Sequence, residues 1–443
     1  MTELRDPPDL LAAPGDDTLP VVRDSRFREA TATPRARTGT GLCLSGGGYR
    51  AALLHLGALR RLDELGVLAQ VRTVSGVSGG SLAAAMLAHP ALDWNRADGR
   101  VGGFDEHVAG GLRALTARNI RTPALLSRLL PWRWFDPDAG VEGLSRQLQR
   151  QPGFDRPLGA ARPAGPRVAV SATDLVFGVD WVEQTAWRGA PARVGSYRAG
   201  YAAPAPGWTL GDACATSCAE PPFFAPRRVA RELTDRLSGG HREIETVEQH
   251  RRLLRRLQLV DGGVYDNLGL EPVWKSHRDV LVSDGGGVFR ATTQRTVVGQ
   301  LARSLEILGR SGSNTRLRWL HAAFARDVLA GCTWGIDDVV GELDGVVDAV
   351  GYPFDVVELI ARVRTDLDAF STGEQQVLER HGYLVADRAV RQHAAALVHI
   401  DAPVRPPHEQ VADPVVAAAA LRGSARRTVL GRWRREQGSR VRA

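Results

Sequence analysis

The hydrophobic positions of the chain fall into short runs and helical rows that begin near residue 40. Residues 40–44 form a short apolar run that is typical of a buried strand, and residues 71–74 form a second, largely β-branched run. Between them, residues 49–65 carry apolar side chains at helical spacing, and Gly66 suits a helix C-cap. A further helix is predicted over residues 81–88. Strand, helix, strand and helix in this order predict a parallel sheet with crossover helices.

Further strand-like runs follow at residues 167–171, 257–260 and 280–283. The charged segment 227–256 predicts a helical excursion at the surface, and residues 294–331 and 354–399 predict more helices. Within the last segment, Ser371 is followed three residues later by Glu374, a pair typical of a capping box. The chain is therefore predicted to be an α/β protein with a central, mostly parallel sheet flanked by helices, and with added C-terminal helices.

These patterns divide the chain into four parts. Residues 1–37 lack apolar periodicity and predict a flexible N-terminal arm, and residues 38–290 form the core. Residues 291–403 are a helical C-terminal extension of that core, and residues 404–443 are an arginine-rich tail. Residues 91–165 interrupt the core pattern as a lid or insertion.

Two segments raise the question of a membrane. Residues 124–135 are apolar, aromatic and basic, which fits a lid, a membrane-facing patch or a helix packed on the core. The net charge is +7 and the sequence pI is about 9.7. Residues 422–442 contain eight arginines and one acid, so the tail is either solvated or in contact with anionic lipid or nucleic acid. We expect lipid rather than nucleic acid as the partner.

The sequence favours a cytoplasmic location. It contains no run of about 18 uncharged apolar residues, so no membrane-spanning helix is expected. Residues 1–17 carry acids and prolines without an apolar core, unlike a secretory signal. Four sparse cysteines fit a reducing compartment. Cys214 and Cys218 lack a second Cys/His pair at ligand spacing, so they are predicted to be buried free thiols rather than metal ligands.

A G-x-S-x-G motif centred on Ser78 lies between the predicted strand at 71–74 and the following helix. A sharp strand-to-helix turn forces its serine into a strained conformation, and Gly76 and Gly80 remove side chains that would clash across it. The Ser78 hydroxyl is then exposed at a helix N-terminus, where N–H groups favour developing negative charge. The motif therefore predicts a nucleophilic serine.

A glycine loop, Gly46, Gly47 and Gly48, separates the first strand from the first helix. Its N–H groups suit the oxyanion of a tetrahedral intermediate, for which each donor is typically worth about 3 kcal/mol. A phosphate-binding loop of the Walker type would need G-K-[ST], which is absent, and a dinucleotide fingerprint would need a further glycine that this loop lacks.

The base that would activate Ser78 is open between two alternatives. Asp261 ends an apolar strand, and Gly262 and Gly263 leave space beside it for a serine. A buried carboxylate can take the proton of a serine directly if burial raises its pKa. An ordinary α/β-hydrolase would use a later Asp or Glu and a histidine, and the candidates are His277, His321, His381 and His399.

Together, these motifs resemble the patatin-like phospholipase family, which is related to the cytosolic phospholipase A group. The resemblance covers roughly residues 40–290 and rests on residues 45–51, 76–81 and 261–267. Weaker similarity is found at residues 172–175 and 215–224, and again around residues 364–371.

The resemblance implies a Ser78–Asp261 dyad without histidine and an oxyanion loop of Gly46, Gly47 and Gly48. It implies supporting roles for Gly76, Gly80, Gly262, Gly263 and Arg50. Arg50 would either hold the loop in shape through carbonyl hydrogen bonds or meet a lipid phosphate. Neither a cofactor nor a metal is implied, and no calcium-binding loop is present in the sequence.

The leading hypothesis is acyl-ester hydrolysis of phospholipids or lysophospholipids, with peripheral contact at the anionic inner face of a membrane. The first alternative is a conventional Ser–His–Asp carboxylesterase. The second is an inactive hydrolase scaffold that binds membrane or nucleic acid through its arginines. The oligomeric state stays open.

Overall fold

The computed structural model describes residues 37–127, 133, 136–160, 164–243, 245–286, 293, 296–340, 351–422 and 424. The expected N-terminal arm up to residue 36, the aromatic residues of the 124–135 cluster and the arginine-rich end of the tail lie outside the described residues.

Ten strands of the described chain form one mixed sheet. Their bounds are β1 Thr40–Leu44, β2 Val71–Val77, β3 Arg167–Asp174, β4 Val179–Gln184, β5 Arg193–Ser196, β6 Gly200–Ala202, β7 Arg227–Arg228, β8 Gln258–Asp261, β9 Asp279–Asp284 and β10 Ala330–Gly335.

The helices connect and cover these strands. Within the described ranges they are α1 Gly48–Glu64, α2 Gly79–Met86, α3 Gly110–Thr116, α4 Arg121–Leu126, α5 Ala139–Gln149, α6 Leu210–Ser217, α7 Arg231–Thr234, α8 Val247–Leu254, α9 Gly263–Asp266, α10 Val297–Ala325, α11 Phe354–Ala361, α12 Thr372–His393 and α13 Pro414–Leu421. A π-helical turn, Phe104–Ala109, leads into α3. None of these helices is both long and apolar enough to cross a membrane.

The sheet has a parallel half and an antiparallel half. Its order is β10-β9-β1-β2-β3-β4-β5-β6, and the first five strands of that order run parallel. Strands β4, β5 and β6 continue the sheet antiparallel, while β8 pairs with β3 and β7 with β8. The predicted α/β fold, a central sheet flanked by helices, is confirmed. The charged segment 227–256, predicted as a helical excursion at the surface, also supplies the short strand β7.

Both faces of the sheet are buried, which is why β1 reads as a continuous apolar run rather than an alternating one. Leu42 and Leu44 belong to the main core on one face, whereas Cys43 belongs to a smaller core on the other. The smaller core is closed by α10 through Leu320 and Ala323. Two helical layers therefore enclose the sheet.

The segment between α2 and β3 contributes to the main core. Leu112 and Leu115 of α3 and Leu144 and Leu148 of α5 are all fully buried there. Helix α4 has Ala124 buried and Leu126 exposed. The 91–165 segment, expected as a lid or insertion, is thus packed on the core along these helices.

The C-terminal helices pack directly on α1. The predicted capping box at Ser371 is present at the start of α12. Helix α12 approaches α1 so closely that a Cβ on Gly57 would lie 1.8 Å from the carbonyl oxygen of Glu379. Helix α13 lies within the segment assigned to the tail, and its Ala417 and Leu421 are buried.

Replacing Gly57 with alanine should destabilise the fold, because no room exists for the added methyl group between α1 and α12. We expect the free energy of unfolding, measured by urea titration, to fall by about 1–3 kcal/mol. Gly309→Ala is the matched control. Gly309 is also helical but its added Cβ meets open space, so this change should stabilise by about 0.5–1 kcal/mol. A Gly57→Ala protein as stable as wild type would contradict the close packing of the two helices.

Candidate active site

Strands β2 and β8 meet end to end along one edge of β3. Strand β4 occupies the other edge of β3 over residues 169–174. On the shared edge, Val77 pairs with Ser171, and Asp261 pairs with the next residue, Ala172. Strand β2 runs parallel to β3 and β8 runs antiparallel, so their C-terminal ends converge. This register brings Ser78 and Asp261 together although 183 residues separate them.

Ser78 forms a strained turn between β2 and α2. Its φ is 48° and its ψ is −120°, a conformation that costs a non-glycine residue about 1–3 kcal/mol. A Cβ on Gly76 would lie 2.7 Å from the Gly80 carbonyl oxygen, and a Cβ on Gly80 would lie 2.1 Å from that of Leu44. Only glycine at both positions lets the turn rest on the end of β1. The predicted strand–turn–helix context of Ser78 is therefore present.

The end of α6 and the residues after it form hydrogen bonds to both Ser78 and Asp261 and to the strand between them. The Ser78 N–H donates to Ser217 Oγ at 2.8 Å, and the Ser217 hydroxyl donates to the Ser171 carbonyl oxygen at 2.6 Å. The Asp261 N–H donates to the Ala219 carbonyl oxygen at 3.1 Å. Sequence reasoning found residues 215–224 only as a weak resemblance and assigned Ser217 no role.

The Asp261 carboxyl group is buried at the end of β8, and its residue is 6% exposed. Burial raises its pKa to about 7, and the negative charge of Glu220 acts in the same direction. An N–H bond from Gly263 to Oδ1 at 2.8 Å, and hydrogen bonding with the Ser78 side chain, oppose the shift of the pKa. The pKa of this carboxyl group therefore lies near neutral pH, well above that of an exposed aspartate.

The residues after Asp261 connect it to the glycine loop. A Cβ on Gly263 would lie 2.6 Å from Asn267 Oδ1 and 3.1 Å from Asp261 Oδ1, and a Cβ on Gly262 would lie 2.4 Å from the Ser171 carbonyl oxygen. The Asn267 carbonyl oxygen in turn accepts the Gly46 N–H at 3.0 Å. Asn267 thus ties the two loops together, a role that its place in the motif did not reveal.

The glycine loop passes beside Ser78. A Cβ on Gly46 would lie 3.3 Å from Ser78 Cβ. Because the Gly46 N–H is already donated to Asn267, it is not a free donor, unlike the expectation from sequence. Gly47, with φ 143°, caps α1, and Gly48 has φ 59°. Within the described residues, neither Gly47 N–H nor Gly48 N–H has an acceptor. These two groups are the ones available to an anion at the helix N-terminus.

The C-terminal part of the chain buttresses this loop. The Tyr49 N–H donates to the Asp366 carbonyl oxygen at 2.9 Å. A Cβ on Gly48 would lie 2.8 Å from the same carbonyl oxygen, so the two backbones are in contact. Arg121 forms an ion pair with the Asp366 side chain. Residues 364–371, a weak resemblance in the sequence, thus support the loop from outside.

Arg50 is buried and makes several hydrogen bonds to backbone carbonyl groups. Its guanidinium donates to Gly285 at 2.9 Å, to Val363 at 2.8 Å and to Ala361 at 3.2 Å. Gly285 follows β9, Ala361 ends α11 and Val363 follows it, so none of these carbonyl groups belongs to the glycine loop itself. Arg50 is thus bonded to carbonyl groups, but not to those of the loop, so the role expected from sequence stays a prediction.

The four candidate histidines lie away from Ser78. His381 is buried against the Ile336 carbonyl oxygen, and burial lowers its pKa to about 4. His277 bonds to the Val273 carbonyl oxygen near the start of β1, and His321 bonds to Thr333 on the surface. His399 follows α12, where its N–H donates to the carbonyl oxygen of Leu65. In the described part of the chain, no histidine side chain is hydrogen-bonded to Ser78 or Asp261.

The cysteines do not form a metal centre in the described ranges. Cys214 and Cys218 are buried and free, and burial raises the pKa of both thiols. Over the same residues, no group of three or more His, Cys, Asp or Glu side chains could hold a metal ion.

Comparison with known proteins adds a family match. A family model described as patatin-like phospholipase matches residues 42–274, which include the glycine loop, Ser78 and Asp261. No curated protein sequence matches significantly.

The solved structures that are similar to this chain include the following two. VipD from Legionella pneumophila is 14% identical with a TM-score of 0.32, over 82% of this chain and 68% of that one. Human GIVD cytosolic phospholipase A2 is 13% identical with a TM-score of 0.46, over 87% of this chain and 63% of that one. The chain therefore spans less than two thirds of the human protein. Both TM-scores are below 0.5, so the family assignment rests on the family model.

The buried carboxyl group of Asp261 should make stability depend on pH. Its folded pKa of about 7 lies above the ordinary 3.8, so the stabilisation from holding the proton is lost as pH rises from about 4 to about 7. Asp261→Asn removes the cost of the buried charge. The free energy of unfolding of the Asp261→Asn protein should therefore exceed that of wild type by more at pH 8 than at pH 5. The expected difference between the two pH values is about 2–3 kcal/mol.

Urea titrations at the two pH values measure this difference. Asp98→Asn is the control, because hydrogen bonds from Arg96 lower the pKa of that exposed carboxyl group to about 2 and no such gain is expected. An Asp261→Asn effect that is equal at both pH values would contradict the raised pKa.

Proposed function

The chain belongs to the patatin-like phospholipase family, and on that premise we propose that it hydrolyses fatty-acyl esters of phospholipids or lysophospholipids with Ser78 as nucleophile and Asp261 as base. The family supports lipid hydrolysis as the general activity. The assignment of the two residues rests on their convergence at the shared edge of β3.

The reaction would begin with transfer of the Ser78 hydroxyl proton to the Asp261 carboxylate. The serine oxygen attacks the acyl carbonyl carbon, and the Gly47 and Gly48 N–H groups donate to the resulting oxyanion. Each such donor is typically worth about 3 kcal/mol. Collapse of the intermediate breaks the ester bond, and the leaving alcohol takes the proton from Asp261. Water, deprotonated by the same carboxylate, then attacks the acyl-serine. The bond between the acyl carbon and the Ser78 oxygen breaks, the fatty acid leaves, and Asp261 returns the proton to Ser78.

The raised pKa of Asp261 suits this role. A general base is most effective when its pKa lies near the working pH, because it is then both ionised and basic enough to take a proton. An exposed carboxylate with a pKa near 4 would be ionised but a much weaker base. Burial at the end of β8 therefore supports direct activation of Ser78 without a histidine.

The remaining site residues do not take part in the reaction but hold the reacting groups in place or leave space for them. Gly46 admits the close approach of the loop to Ser78, and Asn267 holds the loop to the Asp261 segment. Gly76, Gly80, Gly262 and Gly263 keep the junction free of side chains. Arg50 fixes the chain around the loop through carbonyl groups, so we assign it no contact with lipid phosphate.

The cellular setting belongs to the same proposal. We place the protein in the cytoplasm, at the inner face of an anionic membrane, with phospholipid as substrate and without a nucleic-acid partner. We also keep the division into a core at 38–290, an extension at 291–403 and a tail at 404–443. The carbonyl contacts of Arg50 join the core to the extension.

Ser78→Ala and Asp261→Asn should each lower kcat/KM for a short-chain nitrophenyl ester by about a thousandfold or more. The wild-type value should rise with pH and level off above about 7, as Asp261 ionises.

Ser75→Ala is the matched serine control, since this buried hydroxyl lies three residues upstream and has no hydrogen-bond partner within the described chain. Asp98→Asn is the matched carboxylate control. Both should keep wild-type activity. Full activity in folded Ser78→Ala protein would refute the nucleophile. Loss of activity in one histidine variant, with Asp261→Asn active, would favour the conventional esterase. A wild-type protein without any esterase activity would favour the binding scaffold.

A further inference from the structure

Helix α10 is much longer than the strand beside it. It connects β9 to β10, and its C-terminal end lies near the start of β9, where Ala330 pairs with Asp279. Arg310, near the middle of the helix, donates to the Gly286 carbonyl oxygen at 2.7 Å, just past the end of β9. The last half of α10 therefore spans the full length of β9. The first half, residues 297–309, extends about 20 Å beyond the sheet at 1.5 Å per residue.

This projecting half lies beside the C-terminal ends of the parallel strands, where the candidate site is. Strands β1 and β9 are parallel, so their C-terminal ends lie at the same edge, and the glycine loop follows β1 directly. The Gly285 N–H donates to Ser45 Oγ at 2.7 Å, which joins the chain after β9 to the start of that loop. Residues 297–309 therefore project on the side from which a substrate would reach Ser78.

One face of the projecting half is exposed, whereas the side chain of Arg303, on the other face, is only 14% exposed. Among the residues of α10 whose burial the structure describes, the first buried one is Ser313. Four aliphatic side chains form a row along one face, with spacings of four, four and three residues. They are Val297, Leu301, Leu305 and Leu308, and between 61% and 81% of each is exposed.

The charged residues lie on the opposite face. Arg303, Glu306 and Arg310 are spaced by three and four residues, and Arg303 forms an ion pair with Glu306 at 2.6 Å. Because Arg310 donates to Gly286, this face turns toward the body of the protein at its C-terminal end. The aliphatic row therefore turns away from the body.

The net charge of α10 and the residues before it indicates which kind of partner binds the exposed aliphatic row. Residues 286–326 contain seven arginines and a single acid, Glu306. A second copy packed on this face would bring two strongly cationic segments together, which is unfavourable. An anionic bilayer offers hydrocarbon for the aliphatic row. Its negative surface also attracts a segment of net positive charge, even though Arg303 and Arg310 lie on the face turned toward the body of the protein.

We propose that residues 297–309 of α10 form a docking helix that inserts its aliphatic row into an anionic lipid surface beside the Ser78 site. The link to catalysis rests on the proposed function, whereas the docking itself does not. Docking would hold the bilayer at the edge of the sheet where the acyl ester must enter.

The test uses the full chain carrying Leu301→Gln and Leu305→Gln, since glutamine keeps helix propensity and adds no charge. Flotation with phosphatidylglycerol-containing vesicles measures binding, in the Ser78→Ala background so that the lipid stays intact. The variant should bind about tenfold more weakly or worse, because two leucines no longer leave water. Wild type should bind phosphatidylcholine vesicles more weakly, and added salt should weaken binding to the anionic ones.

The matched control carries Phe354→Gln and Val415→Gln, two exposed apolar side chains on α11 and α13. It should bind as wild type does. With Ser78 intact, the leucine variant should lose hydrolysis of vesicle lipid but keep hydrolysis of a soluble short-chain ester, which shows that it is folded and active.

Unchanged vesicle binding by the leucine variant would overturn the docking helix. A wild-type dimer that the same change converts to a monomer would assign the row to a second copy instead, and equal binding to both vesicle types would remove the anionic requirement. If wild type hydrolyses no ester while vesicle binding still depends on the leucines, the docking helix stands and the proposed function fails.

Discussion

The site depends on one edge of β3 being shared by two strands that run toward each other. A strand edge offers one backbone partner per residue, so β2 must stop where β8 stops, between Ser171 and Ala172. The register of the two strands on β3 therefore makes the turn after β2 and the last residue of β8 neighbours. A slip of either strand by one residue would point its terminal side chain to the other face of the sheet and separate Ser78 from Asp261. The chemistry proposed for these residues is therefore a consequence of register.

Because β2 and β8 end beside each other, Ser78, Asp261 and the glycine loop are tightly packed. Residues from distant parts of the chain hold them in place. Ser217 secures the strained turn, Asn267 links the Asp261 segment to the glycine loop, and Asp366 supports that loop from the C-terminal side. Burial that results from this crowding raises the pKa of Asp261. The supports at Gly285 and Asp366 lie beyond residues 42–274, the part matched by the family model. The helices after residue 351 therefore help to complete the site rather than forming a separate module.

The sequence predicts the elements whose signal is local. Strand β1, helix α1 and the capping box of α12 follow from apolar runs, helical spacing and a Ser–Glu pair. Strands β4 to β7 and β10 do not, because they are short, or contain glycine, or carry polar residues that only their partners explain. The motifs place Ser78 and Asp261 as candidates. The loss of Gly46 as a free donor and the role of Ser217 arise from contacts between residues more than 100 positions apart, which no local pattern encodes.

The most direct measurement is the pH dependence of covalent labelling by a fluorophosphonate, with the modified residue identified by mass spectrometry. We expect Ser78 alone to be modified, at a rate that rises with pH through about 7, and we expect Asp261→Asn to abolish the reaction. Alanine variants of His277, His321, His381 and His399 should label normally. Modification of a different serine, or a labelling rate that depends on one of these histidines, would contradict the Ser78–Asp261 pair.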